Sequence, residues 1–236
     1  LFWFQHIVRK FLSKRSSIII TNSDKGLKDW RKLKRSNIIK IENAIDIQKI
    51  RSFKNMQGLK KKSPIIIFAG SLIKSKNIEI IIKAMGIIIK KIDASFYIIG
   101  DGSRKKILKN LVNNLNLNDK VFFKKFNPGW WNYLNYADIF VTMSLVEGMP
   151  NVLLEAIASR TLTIVSDIEP HRQLLNEDST FFVPVNNEFI LASTIIKALS
   201  NFGKLQYKID NASKRIIQNN IKNIFSKYHK ECERLI

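Results

Sequence analysis

Two glutamates eight positions apart lie in the stretch of this chain best suited to a chemical role. Glu147 follows an apolar run, Ile139 to Thr142, and Glu155 lies about one turn inside a helical pattern from Asn151 to Ser159. The apolar run predicts a buried parallel strand. Backbone N–H groups at a helix start favour an anion. We therefore predict a cradle for a sugar diphosphate, in which the amides take phosphate and the carboxylates take sugar hydroxyls.

The helix after the turn is predicted to begin at Asn151, whose side chain is of a type that caps helices. The amides of Asn151 and Val152 would then point out of the helix start. A second interpretation stays open: a capped amphipathic helix that carries two solvated glutamates and binds nothing.

The letters around the two glutamates resemble a known family. The segment Glu147-Gly-Met-Pro-Asn-Val-Leu-Leu-Glu155, followed by Ala, resembles the E-x7-E signature of retaining GT-B glycosyltransferases of family 4. The spacing alone is common in surface helices, but the preceding strand, the Gly-Met-Pro turn and the later segment Val165 to Arg172 also match. The resemblance implies that Glu147 is the catalytic residue beside the donor sugar and that Glu155 holds the nucleotide ribose. It also implies that the residues between them contact the donor: Gly148, Met149, Pro150, Asn151 and Val152.

A second loop resembles the family's diphosphate-binding loop, Gly-Arg-Leu…Lys-Gly. It follows the apolar strand Ile65 to Ala69 and begins at Gly70. Lys76 falls on the Lys position, Ser71 stands where the family has Arg, and Asn77 stands where Gly is usual. The resemblance implies donor binding by Gly70, Ser71 and Lys76, with one of the two usual cations missing.

The composition indicates an ordinary globular protein and bears on disulfides, metals and cofactors. The 236 residues are 45% hydrophobic and 25% charged, as in an ordinary globular protein. With one cysteine, Cys232, no internal disulfide is expected. No Asp-x-Asp and no metal-ligand spacing is present, so we expect no essential metal and no cofactor besides the nucleoside diphosphate sugar that serves as donor. His171, beside Pro170, is interpreted as a packing or surface histidine rather than a general base.

The net charge of +21 has two interpretations. It favours anionic lipid head groups, polyphosphate or nucleic acid, or it reflects a general Ile/Lys/Asn bias, since the lysines are spread along the chain. No nucleic-acid-binding motif is present, so we expect no nucleic-acid partner. Residues 1–15 fit a helix that packs on a sheet or lies on an anionic membrane.

Strand and helix patterns alternate along the chain and predict an α/β fold: a Rossmann-like parallel sheet with helices on both faces, the C-terminal half of a GT-B fold, plus a remnant of the N-terminal domain. The resemblance runs from about Ser17 to Tyr228 and omits most of the acceptor domain. With a first residue of Leu1, this predicts a fragment of a longer protein. The predicted parts are an N-terminal remnant and crossing (1–46), a linker (47–63), the donor-binding domain (64–203) and basic helices that pack back toward the N-terminal domain (204–236).

The sequence thus predicts a retaining glycosyltransferase of the hexosyltransferase class. It would transfer a sugar from a nucleoside diphosphate sugar to a glycan or lipid-linked acceptor in surface polysaccharide synthesis. The alternative is a nucleotide-sugar-binding half-protein that is inactive without a partner acceptor domain. A cytoplasmic location is expected, and peripheral association with the inner membrane surface is left open.

Overall fold

The computed structural model describes residues 2–32, 37–52 and 63–235. The chain divides into two compact units, Leu1–Ile45 with Gln218–Ile236 and Asp46–Ile217. The described residues form ten α-helices and eight strands, besides short 3₁₀ turns. The helices are α1 Phe2–Arg15, α2 Asp24–Arg31, α3 Ile47–Ser52, α4 Ile78–Ile88, α5 Lys105–Asn114, α6 Asn151–Ala158, α7 Glu169–Leu174, α8 Glu188–Ser200, α9 Gln206–Arg215 and α10 Ile221–Glu233. The strands are β1 Ile19–Thr21, β2 Ile38–Lys40, β3 Ile65–Ala69, β4 Ser95–Ile99, β5 Val121–Lys124, β6 Ile139–Thr142, β7 Leu162–Ser166 and β8 Phe181–Val183.

The smaller unit contains a two-stranded parallel sheet, β1 beside β2. Ser23 caps α2, because its hydroxyl accepts a hydrogen bond from the Gly26 amide at 3.2 Å. The C-terminal residues join this unit through a backbone bridge between Ile45 and Asn220 and an ion pair of 3.0 Å between Lys227 and Glu42.

The larger unit is built on a six-stranded sheet in the order β5-β4-β3-β6-β7-β8, and every neighbouring pair is parallel. The strands β3, β6 and β7 are buried along their whole length. Fully buried parallel strands need cover on both faces, which explains why their sequences are continuous apolar runs rather than alternating ones.

Different helices pack against the two faces of this sheet. Alternate strand residues, such as Ile66, Phe68 and Ile164, form one core cluster with the buried residues of α4, α5 and α8. The residues between them, such as Ile67 and Phe140, are also fully buried but face the opposite side. There α6 contacts α3, α9 and β7. The predicted α/β fold with helices on both faces is therefore confirmed.

Two predicted segments differ from the structure. Residues 47–63 were predicted as a linker, but α3 occupies 47–52, and residues 53–62 lie outside the described ranges. The helix forms because Ile47 and Ile50, three positions apart, are both buried, and because the Asp46 side chain accepts a hydrogen bond from the Lys49 amide at 2.9 Å. Residues 204–217, grouped by the sequence with the C-terminal helices, belong to the larger unit instead, since α9 buries Ile209 there.

The strand order predicts a crevice between the carboxyl ends of β3 and β6. β3 has β4 on one side and β6 on the other, so the chain leaves β3 toward one half of the sheet and β6 toward the other half. Loops that leave neighbouring carboxyl ends in opposite directions open a crevice, and open α/β sheets bind ligands at this point. The loops after Ala69 and after Thr142 are those that carry the predicted site residues.

Candidate functional site

A cavity of about 590 Å³ lies at this switch point of the larger unit. Nine of the ten predicted site residues line it. They are Gly70, Ser71, Lys76, Glu147, Met149, Pro150, Asn151, Val152 and Glu155. The tenth, Gly148, lies in the same loop but is not a lining residue. The structure therefore brings together residues that the sequence separates by up to 85 positions, while their individual roles stay predictions.

An ion pair between the two loops forms part of the cavity wall. The Lys76 ammonium lies 2.5 Å from Glu147 Oε1, and both side chains are largely buried, 19% and 10% exposed. The Ser144 hydroxyl donates a second hydrogen bond to the same carboxylate oxygen at 2.7 Å. A backbone hydrogen bond of 2.8 Å from the Leu145 amide to the Ser75 carbonyl ties the two loops together.

The loop after β3 has a backbone that only certain residues adopt. Gly70 has a φ of +144°, and a Cβ on Gly100 would lie 1.9 Å from the Gly70 carbonyl oxygen. Asn77, which stands where the family has Gly, has a left-handed backbone (φ 50°, ψ 43°). Asn is among the few residues that tolerate this region, and its side chain donates to the Val185 carbonyl at 2.7 Å. The substitution therefore preserves the turn that precedes α4.

The start of α6 opens onto the cavity, but its cap differs from the prediction. Asn151 is the first helical residue, and the N-cap position belongs to Pro150, which offers no side-chain hydrogen bond. The amides of Leu153 and Leu154 both bond to the Pro150 carbonyl, at 3.0 and 3.2 Å. Asn151 and Val152 precede them and lie at the open start of the helix, where an anion is favoured.

Glu155 lies one turn further along α6, against an aromatic side chain that the sequence did not single out as a site residue. The indole N–H of the buried Trp130 donates to Glu155 Oε2 at 2.8 Å. Burial raises the pKa of Glu155, and the Trp130 hydrogen bond opposes that increase. The hydrogen bond and the helix hold the carboxylate at the cavity wall, where its other oxygen can accept hydrogen bonds from a ligand.

Two further lining residues were not predicted as site residues. Phe126 is 49% exposed, and its ring stacks on Trp130 with the centroids 6.1 Å apart. Asp101 follows β4 and is bonded by Lys105 at 2.7 Å, which holds the pKa of that carboxyl below its usual range. An aromatic residue shortly after the apolar run Val121 to Phe123 was the available signal for Phe126.

His171 has the packing role that the sequence analysis preferred. It is fully buried, and its Nδ1 lies 2.8 Å from the Ser166 carbonyl oxygen. Burial lowers its pKa, so the neutral ring predominates at pH 7. It is not one of the lining residues of the cavity, which agrees with a structural role rather than that of a general base.

The described residues contain no group of three or more His, Cys, Asp or Glu side chains placed to hold a metal ion. No helix among them is both long enough and apolar enough to cross a membrane.

Curated proteins of similar sequence are glycosyltransferases. The chain is 30% identical over 194 residues to the N-acetylgalactosamine-N,N'-diacetylbacillosaminyl-diphospho-undecaprenol 4-alpha-N-acetylgalactosaminyltransferase of Campylobacter jejuni, covering 78% of this chain and 52% of the relative. It is 28% identical over 198 residues to the UDP-Gal:alpha-D-GlcNAc-diphosphoundecaprenol alpha-1,3-galactosyltransferase of Escherichia coli, covering 79% and 50%. The chain thus spans about half the length of these relatives.

Solved structures show the same fold at low sequence identity. A TarM variant from S. aureus, in complex with fondaparinux, alpha-GlcNAc-glycerol and UDP, superposes with a TM-score of 0.79 at 20% identity, covering 92% of this chain and 44% of that one. Anabaena HepE, in complex with UDP and glucose, superposes with a TM-score of 0.80 at 16% identity, covering 93% and 64%.

The family model that describes glycosyl transferases group 1 matches residues 49–220, most of the chain. This range contains all the residues that line the cavity. On the combined match of family, fold and cavity, the chain belongs to the glycosyl transferases group 1 family.

Proposed function

We propose that this chain carries the donor-binding half of a retaining glycosyltransferase that takes a sugar from a nucleoside diphosphate sugar and transfers it to a glycan or lipid-linked acceptor. One observation carries the proposal. A lysine, two carboxylates and an open helix start surround a single cavity at the switch point of a parallel sheet. Together these groups suit the diphosphate, the sugar and the ribose of a nucleotide sugar.

The diphosphate is assigned to Lys76 and the start of α6. Lys76 is the cation among the described lining residues, because Ser71 replaces the arginine of the family pattern. An ammonium has three donors, so Lys76 can bond phosphate oxygens while it keeps Glu147. The helix start adds backbone N–H groups, and together they stabilise the charge that develops on the leaving diphosphate.

The sugar is assigned to Glu147. As the bond between the anomeric carbon and the diphosphate breaks, its electron pair leaves with the nucleoside diphosphate. The acceptor hydroxyl oxygen forms the new bond to the anomeric carbon, and its proton passes to the phosphate oxygen of the leaving nucleoside diphosphate. A carboxylate beside the anomeric carbon stabilises the positive character that develops there. Retention of the anomeric configuration follows from the resemblance of the Glu147–Glu155 segment to retaining enzymes.

The nucleoside is assigned to Glu155 and Phe126. A carboxylate accepts hydrogen bonds from vicinal ribose hydroxyls. The half-exposed Phe126 ring, already stacked on Trp130, offers a face on which a base can stack. Such stacking contributes about 1–3 kcal/mol per base.

Named relatives and neighbours guide the choice of substrates. UDP occurs in the TarM and HepE complexes, and UDP-Gal is named as the donor of the E. coli relative. Both cited relatives are named for undecaprenol-linked acceptors. We therefore propose a UDP-sugar as donor and a lipid-linked glycan as acceptor, which implies work at the inner membrane surface.

Donor titration tests the proposal on the chain as it stands. We expect UDP and at least one of UDP-GlcNAc, UDP-GalNAc and UDP-galactose to raise the unfolding temperature, with about 2.7 kcal/mol of stabilisation at a hundred times the dissociation constant. Lys76→Ala and Glu155→Ala should weaken that effect. Lys74→Ala, on an exposed neighbour, and Glu233→Ala, on α10, should not. A nucleotide that stabilises all five proteins equally, or none that stabilises the wild type, would refute the assignment.

A further inference from the structure

Ser144 is fully buried next to Glu147, and its function is not explained by packing alone. Its hydroxyl donates to Glu147 Oε1 at 2.7 Å and lies 3.3 Å from the Thr142 hydroxyl, which can donate to it in turn. A buried hydroxyl that donates to an ion-paired carboxylate fixes the direction of that carboxylate. Ser144 therefore restrains the group that the proposed function places beside the sugar.

Ser166 holds the Ser144 backbone from the neighbouring strand. β6 and β7 are paired, with Thr142 opposite Val165, so the residues just past these positions meet at the same edge of the sheet. The Ser166 hydroxyl, also fully buried, donates to the Ser144 carbonyl at 2.7 Å. A carbonyl fixed in this way leaves the Ser144 side chain little freedom to turn from Glu147.

His171 completes the chain of hydrogen bonds. Its Nδ1 lies 2.8 Å from the Ser166 carbonyl oxygen and 3.2 Å from the Ser166 hydroxyl oxygen. The carbonyl oxygen can only accept, and the Ser166 hydroxyl already donates to the Ser144 carbonyl, so His171 carries its proton on Nδ1. These contacts link His171 through Ser166 to the Ser144 backbone, while the Ser144 hydroxyl makes a separate hydrogen bond to Glu147.

We propose that Ser144 is a positioning residue that holds the Glu147 carboxylate toward the sugar, and that Ser166 and His171 keep Ser144 in place. The inference rests on the proposed function, because it assumes that Glu147 faces the donor sugar. Lys76 has a flexible stem and bonds the same carboxylate oxygen as Ser144. Without the serine hydroxyl, the carboxylate is free to follow the ammonium toward the diphosphate and away from the sugar.

The test distinguishes an effect on binding of the sugar from an effect on binding of the nucleotide. The affinities of UDP and of the best UDP-sugar are measured by calorimetry for the wild type, Ser144→Ala and Ser166→Ala, with Ser193→Ala as a matched control on an exposed helix position. Loss of one hydrogen bond to a charged group corresponds to about a tenfold change. We expect Ser144→Ala to weaken UDP-sugar binding about tenfold while UDP stays within about twofold. Ser166→Ala should change the ratio of UDP-sugar affinity to UDP affinity in the same direction. Ser144→Thr, which restores the hydroxyl, should return this ratio to the wild-type value.

A double-mutant cycle shows whether Ser144 acts through Glu147. When Glu147 is already replaced by alanine, adding Ser144→Ala should leave the ratio of UDP-sugar affinity to UDP affinity unchanged. The inference is wrong if both ligands weaken equally in Ser144→Ala, or if the two substitutions are additive. A wild type that binds no nucleotide would instead refute the proposed function, and with it this inference. Binding of UDP by the wild type with an unchanged ratio in Ser144→Ala would refute the inference alone.

Discussion

The Lys76 ammonium and the Glu147 carboxylate, 71 positions apart in the sequence, form an ion pair of 2.5 Å in the wall of the cavity. In the absence of a ligand, each group neutralises the other where little water reaches them. Under the proposed function, a diphosphate that enters would share the ammonium with Glu147. The lysine would then lie between two negatively charged groups, the carboxylate and the diphosphate, which would otherwise repel each other.

This geometry predicts that Lys76→Met weakens UDP binding about 10- to 100-fold, the loss expected for one or two hydrogen bonds to a charged group. Methionine keeps most of the apolar stem, so packing is largely preserved. The folded protein should also lose about 1–3 kcal/mol, because Glu147 is left partly buried without its cation. Calorimetry and urea unfolding measure the two effects. Lys74→Met, in the same 3₁₀ turn but exposed, is the control, and equal losses in both variants would contradict the prediction.

Trp130 is predicted to set the pH range over which Glu155 binds ribose. Burial raises the Glu155 pKa, and the indole N–H counteracts it by bonding the ionised form. Trp130→Phe removes that donor, so the pKa of Glu155 should rise further. In a titration toward acid, the variant should therefore lose UDP affinity at a higher pH than the wild type does. UDP affinity measured from pH 8 to pH 5 gives the comparison. Glu155→Gln cannot ionise and should remove this part of the pH dependence. An identical profile in Trp130→Phe and wild type would show that the indole does not tune Glu155.

The strands of the larger unit were predictable because they are short, continuous apolar runs between turn residues. Ile65–Ala69 and Ile139–Thr142 have the predicted bounds. α3 was missed because its polar composition outweighed the spacing of two isoleucines. The assignment of the cap to Asn151 was wrong because Pro150 already occupies the cap position.

The cavity could be predicted in outline because its two loops each carry a recognisable pattern and follow strands that lie side by side. Trp130 could not be assigned to it from the sequence. Its hydrogen bond with Glu155 depends on how a short 3₁₀ turn packs against α6, across 25 positions, and no periodicity encodes that arrangement. The Ser144–Ser166 hydrogen bond has the same origin, since it depends on the register between β6 and β7.

Gly100 is predicted to be intolerant of any side chain, because a Cβ there would collide with the backbone of Gly70 at the edge of the cavity. Gly100→Ala should destabilise the protein by more than about 2 kcal/mol, as expected for an overpacked site, and should weaken UDP binding as the loop shifts. Gly86→Ala is the matched control. Its Cβ would meet nothing within 4 Å, and inside α4 alanine should stabilise by about 0.5–1 kcal/mol. Urea unfolding of both variants tests the pair, and similar free energies of unfolding would contradict it.

His171 is predicted to make the protein less stable in mild acid. Burial lowers its pKa in the folded state, and the nearby Lys76 adds to this, while the Ser166 hydrogen bond and Glu147 oppose it. Below the unfolded value of about 6.5, the unfolded chain binds a proton that the folded protein refuses, so the free energy of unfolding falls as the pH falls, until the folded pKa is reached. The slope from this residue is at most about 1.4 kcal/mol per pH unit.

Urea unfolding between pH 7.5 and pH 5 measures that slope. His171→Gln keeps an amide donor for the Ser166 carbonyl but cannot titrate, so its free energy of unfolding should vary less with pH than that of the wild type. If His171→Gln retains the full slope, the acid sensitivity arises elsewhere, and the neutral Nδ1–H form of His171 is not what stabilises the end of β7.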